Sequence, residues 1–168
     1  MATSNEAYQA VGLSVVNCQY FEIAFTICVK LVFAQRMVYE LSKIEPLDKN
    51  TFKVPAKALL NELKRHIEVS SEFETKLESV VERRHELVHR WVRRNKWPED
   101  DDASGLGKIT EFANTLSRDV NALTRILVLS INRWLAKFPK VGETLKPLGE
   151  NWLLALPEEY RNIRIEKT

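Results

Sequence analysis

The residues best placed to do chemistry in this chain are Arg84-His85-Glu86-Leu87-Val88-His89, because the same six positions satisfy two catalytic patterns. From Arg84 they read R-x-x-x-x-H with a polar residue directly after the arginine: a guanidinium and an imidazole suited to act together on a phosphodiester without metal. From His85 they read H-E-x-x-H, which on a helix offers two imidazoles to zinc and a glutamate as general base. A third reading is a charged helix with no chemistry at all.

Spacing decides how these side chains stand. An α-helix puts His89 roughly 7.5 Å above Arg84 along the axis and about 140° round, so the two do not share a face. Both reach a groove beside the helix if that groove is open. His85 lies on the flank of His89, one turn below. Arg84 falls within an apolar stripe of Phe73, Leu77, Val80, Val81, Leu87, Val88 and Trp91. A guanidinium stays charged and is costly to bury alone, so it has a carboxylate partner, lines a wet cleft or meets a ligand. Glu22, amid apolar residues of the first helix, is the candidate structural partner.

Between Glu82 and Lys96 the chain sets six cations against only Glu82 and Glu86, with Trp91 and Trp97 close by. Local positive charge draws phosphates, and an aromatic ring stacks on an unpaired base. Arg83, Arg90, Trp91, Arg93 and Arg94 are therefore candidate substrate-binding residues. The alternative is a solvated helix C-terminus, where cations are favourable in any case.

The zinc reading needs a third ligand. No histidine follows His89, position 92 is valine, and Glu111 is the one tidy candidate further on. Arg83 and Arg90 flank the motif and would sit poorly beside a dication. No strand is expected that could hold an extended peptide. The expectation is no metal and no cofactor.

The elements that must position these residues are helical. A 168-residue chain that is 45% hydrophobic and 29% charged has enough apolar material for one core of its own. A net charge of +2 gives no global pull on polyanions, so any nucleic-acid affinity is local. The pattern predicts four helices: Asn5 to Lys43 capped by Ser4 or Asn5; a second from Pro55 through Leu59, Leu60, Leu63 and Ile67; a third from Ser70 or Ser71 to Asn95; and a fourth from Ser104 to Phe138. The acidic run Glu99 to Asp102 suits the dipole of that last helix. Its Ile109, Phe112, Leu116, Val120, Leu123, Leu127, Ile131 and Trp134 recur at threes and fours.

Apolar residues wrap most of the first helix, which calls for partners all round. Asn17, Gln19, Glu22 and Lys30 interrupt its apolar run, which argues against a membrane span. Cys18 and Cys28 are roughly 15 Å apart on that helix and cannot bridge, and with no secretory leader this points to the cytoplasm. The fold expected is an all-α, four-helix up-and-down type bundle over residues 1–140. Residues 141–168 form a C-terminal extension docked on the bundle or on a dimer partner.

With its polar His85, its place on the third of four helices and the aromatic Trp91 behind it, Arg84-His85-Glu86-Leu87-Val88-His89 resembles the R-x4-6-H signature of the HEPN superfamily. The first helix, with Asn17-Cys18-Gln19-Tyr20-Phe21-Glu22, is similar to the opening helix of many bacterial HEPN-like proteins, and the resemblance covers about residues 8–138. It implies a metal-independent endoribonuclease acting on RNA as a homodimer, with an antitoxin protein as partner or a role in phage defence. His89 would be general base or acid, Arg84 the stabiliser of phosphorane charge, and His85 the group that orients the phosphate or His89. The alternative kept beside it is a non-catalytic helical dimer that binds RNA, nucleotide or a partner protein.

Overall fold

The computed structural model describes residues 2–37, 55–66 and 70–137, with side chains through Val29 in the first stretch and through Lys64 in the second. Among the described residues the chain is all-α, without a strand. The helices are α1 (Ser4–Met37), α2 (Ala56–His66), α3 (Ser71–His85), α4 (Trp91–Asn95) and α5 (Ala103–Lys137). A π-helical turn, Glu86–Arg90, joins α3 to α4 and makes one helical stretch of the two, so four stretches stand where four helices are expected. The expected end of the first helix at Lys43, the end of the second at Ile67, and the extension over 141–168 lie outside the described residues.

The helix starts show why capping chemistry matters. α1 begins at Ser4, one residue earlier than a Ser4 cap allows and two earlier than an Asn5 cap does. Thr3 Oγ1 accepts the Glu6 N–H at 3.3 Å while the Glu6 carboxylate accepts the Thr3 N–H at 2.8 Å, a reciprocal capping box. The Thr3 hydrogen bonds hold the Glu6 carboxyl below its usual range. Ser70 caps α3 as expected, its hydroxyl accepting the Phe73 N–H at 3.3 Å. α5 is capped by Asp102 and not by Ser104: the Asp102 carboxylate accepts the Gly105 N–H at 2.8 Å. Gly105 is required there, because a Cβ would lie 2.2 Å from Asp102 Oδ2 and 2.9 Å from the Pro98 ring.

The chain divides into two compact units, residues 1–21 with 69–123 and residues 22–68 with 124–168. In the first, α1 buries Ala7, Ala10, Ser14, Asn17, Cys18 and Phe21, a single face. Leu77, Val80 and Val81 of α3, Leu87 of the π turn, and Leu106, Ile109, Ala113, Leu116, Ser117 and Val120 of α5 complete that interior. Asn17 donates to the Ser117 hydroxyl at 2.5 Å, so the buried amide is satisfied across α1 and α5. Tyr8 stacks on Trp97 at 4.5 Å, and the Ser4 hydroxyl meets the Asp100 carboxylate, tying the loop before α5 to α1.

In the second unit α1 is buried without a break from Ala24 to Val29, with Leu59, Leu60 and Leu63 of α2 and Leu127, Ile131 and Trp134 of α5 also buried. The expectation that α1 is surrounded by partners therefore holds over residues 24–29. It fails in the first unit, where Leu13 is 57% and Val16 42% exposed. By length and composition Ser4–Val29 is also apolar enough to cross a membrane, a test that core helices pass too. Both cysteines are buried and neither forms a disulfide, and burial pushes the Cys28 thiol up to about 11.

Lys96 ends α4 with φ 57° and ψ 167°, a conformation that suits glycine. Holding a side chain there costs about 1–3 kcal/mol, partly offset by the extra freedom a glycine has when unfolded. Lys96→Gly is expected to raise stability by about 1 kcal/mol in chemical denaturation. A lower midpoint would contradict this account of the α4 terminus.

Candidate active site

The site is built by the π turn. The Trp91 N–H donates to the Glu86 carbonyl, five residues back, instead of to Leu87 four back. One extra residue is thereby taken up in a single wide turn, and side chains five apart come into line. Arg84 Nη1 lies 3.3 Å from His89 Nε2, and the His85 and His89 rings are 4.9 Å apart at 52°. The separation of Arg84 and His89 expected for a regular helix is thus corrected: the wide turn puts them on one face. A guanidinium has no lone pair to accept with, so a hydrogen bond here requires Nε2 of His89 as acceptor, which is the tautomer with its proton on Nδ1.

The same turn explains Val88. Expected in the buried stripe, it is 41% exposed, while Phe73 is half-buried and Leu77, Val80, Val81 and Leu87 are buried. The extra residue rotates Val88 outward and leaves Trp91, half-buried, packed against the cluster of Ala7, Leu106 and Ile109. Arg84 and His85 are half-buried and His89 is exposed, so the three side chains open to solvent.

The cationic side chains around them are largely spoken for. Arg83 Nη2 pairs with Asp119 Oδ2 of α5 at 2.7 Å, and its Nε donates to the Ser79 carbonyl at 3.3 Å. Arg90 pairs with Glu82 at 2.9 Å and Arg94 with Glu86 at 3.0 Å. Arg93 is exposed. Trp91 packs on Phe112 with ring centroids 4.9 Å apart and, with Trp97, borders a cluster of Ala7, Leu106 and Ile109. Its indole N–H is buried without a hydrogen-bond partner. A cleft of about 420 Å³ beside it is lined by Arg83, Trp91, Lys108, Glu111, Phe112 and Thr115.

Glu22 is half-buried on α1, its carbonyl accepting the Thr26 hydroxyl at 2.7 Å. It belongs to the second unit and Arg84 to the first, so their pairing stays an expectation. Glu111 lines the Trp91 cleft, and among the described residues no group of three or more His, Cys, Asp or Glu side chains converges as metal ligands need to. Among the described residues, then, His85 and His89 have no third ligand beside them.

Partial desolvation, then the Arg90 and His89 charges, lower the His85 pKa; Glu82 works the other way. Folding thus favours neutral His85. Any stability from this is complete above the unfolded imidazole value, about 6.5, and is lost as pH falls through the lowered one. An NMR titration is expected to place the His85 midpoint below that value, with Arg90→Gln raising it. A midpoint unmoved by Arg90→Gln would contradict the charge contribution.

Sequence reasoning missed the π turn, Asp119, and the roles of Glu82 and Glu86 as arginine partners. One signal was there: the spacing of five from Arg84 to His89 matches the i→i+5 hydrogen bond of a π turn, not the i→i+4 bond of an α-helix. No family model matches the chain, and neither curated proteins nor solved structures include a match to it.

Proposed function

We propose that the protein is a HEPN-type, metal-independent endoribonuclease whose reacting groups are Arg84 and His89. The observation that carries this reading is their 3.3 Å apposition at a solvent-open π turn. When the Arg84 guanidinium turns from His89 to a phosphate oxygen, the Nε2 lone pair of His89 is freed to take the proton of a ribose 2′-hydroxyl. The 2′-oxygen attacks phosphorus, the bond to the 5′-oxygen breaks, and the leaving oxygen takes a proton from water. Arg84 stabilises the charge that grows on the phosphorane oxygens, commonly a large contribution to such reactions. His85, held largely neutral, orients His89 or the phosphate. The products are a 2′,3′-cyclic phosphate and a 5′-hydroxyl.

The wider reading keeps the four helices as an up-and-down bundle of HEPN type, working as a cytoplasmic homodimer without spanning a membrane. Its setting is a toxin–antitoxin pair or phage defence, with an antitoxin protein as second partner. RNA contacts fall to Arg93 and to whichever of Arg90 and Arg94 exchanges its carboxylate for a phosphate. Trp91, packed on Phe112, would stack on a base only at its cleft edge.

A second reading has its own support. Three of the four arginines assigned to RNA hold carboxylates, as suits a non-catalytic helical dimer that binds RNA, nucleotide or a partner protein. Incubating purified protein with total RNA in excess chelator separates the two. The ribonuclease reading expects cleavage with 2′,3′-cyclic phosphate and 5′-hydroxyl ends. Intact RNA would favour the module, and cleavage only on adding back metal would overturn the mechanism.

A further inference from the structure

We propose that Glu82 and Glu86 are positioning residues: their ion pairs with Arg90 and Arg94 clasp the π turn and so hold Arg84 against His89. Both pairs join residues eight apart, and both span the turn. On a regular α-helix such residues stand about 12 Å apart along the axis and about 80° apart around it, whereas helical ion pairs form at three or four. The π turn absorbs one residue. Residues eight apart then relate as residues seven apart do, about 20° from alignment, and both carboxylates come into line with their arginines.

The charge order makes the choice of register explicit. Glu82, Glu86, Arg90 and Arg94 follow one another at intervals of four. In an unbroken α-helix that order offers one favourable neighbour pair, Glu86 with Arg90, between two like-charge pairs, Glu82 with Glu86 and Arg90 with Arg94. With the π turn both like-charge pairs remain, since each lies in a regular turn beside it, but two favourable pairs stand in place of one: Glu82 with Arg90 and Glu86 with Arg94. The four charges thus select the wide turn. The Glu86 pair is the better sheltered, since the Glu86 side chain is 19% exposed against 60% for Glu82. Trp91, whose N–H closes the turn, is anchored beside Leu106 and Ile109, so α4 is held on its inner side while the clasps act outside.

Only the effect on catalysis rests on the ribonuclease reading; the clasp itself is a statement about geometry. The test exchanges charge without changing its sum: Glu82→Arg with Arg94→Glu makes both π-turn pairs like-charged and every neighbour at four opposite. The readout is the ¹⁵N spectrum of the His89 imidazole in the full chain, with circular dichroism as control for helix content. The wild type is expected to show one neutral tautomer, protonated at Nδ1. The exchanged variant is expected to lose that preference with its helix content kept. Glu82→Gln with Glu86→Gln, a milder change, is expected to shift the spectrum the same way by a smaller amount. An Nδ1–H tautomer undisturbed in the Gln variant and in the folded exchanged variant would overturn the clasp. Absence of RNA cleavage by the wild type sinks the ribonuclease reading alone, since the tautomer still reports on the turn.

Discussion

His89→Ala is expected to slow RNA cleavage by about 10²–10⁴-fold, the usual worth of a positioned general base. Nothing else near the turn replaces it. His85 is the neighbouring imidazole, but its ring centre lies 4.9 Å from that of His89. Arg84→Ala is expected to cost about 10²–10³-fold, as removal of a donor to developing negative charge does elsewhere. Arg84→Lys should recover little of this, because an ammonium cannot offer the planar fork of a guanidinium. His89 is exposed and Arg84 half-buried, so thermal melts of the alanine variants are expected to stay close to the wild type. Cleavage by His89→Ala at the wild-type rate would remove the imidazole from the mechanism.

A large stability effect is expected at Leu106. This side chain is 1% exposed and belongs to the cluster that Trp91 and Trp97 border. Leu106→Ala removes buried methyl groups and leaves a cavity, a change that costs about 2–5 kcal/mol. For a chain of this length each kcal/mol shifts the melting midpoint by roughly 2–4 °C, so a drop on the order of 10 °C is expected. The consequence extends beyond stability. Trp91 supplies the N–H that closes the π turn, so loosening its seat should also weaken the Arg84–His89 contact. A melting midpoint within a degree or so of the wild type would show that this cluster does not hold the turn.

Long, strongly periodic elements were legible. Ile109, Leu116, Val120, Leu123, Leu127, Ile131 and Trp134 are all buried on α5, where threes and fours place them. Helix starts were less so, because Thr3, Ser4 and Asn5 all have capping side chains, as do Asp102 and Ser104, and only the reach to a particular N–H decides among them. The site was legible in residue type but not in geometry. An apolar pattern records how many residues separate two positions, and a regular period was applied where one turn is wider. Arginine count likewise shows an excess of charge without showing where it goes. Asp119, which holds Arg83, lies 36 residues downstream. Trp91 could be read as a stacking surface or a core residue from its position alone, and its packing on Phe112 favours the second.

The central claim is that Arg84 and His89 work on one phosphodiester as a single unit. Its most direct test is the cleavage rate in chelator of Arg84→Ala, His89→Ala and the variant carrying both. Groups that act as a unit are strongly non-additive, so the double variant is expected to be little slower than the slower single one. Losses that multiply, so that the double variant is slower by the product of the two, would mean the guanidinium and the imidazole act independently and would contradict the account.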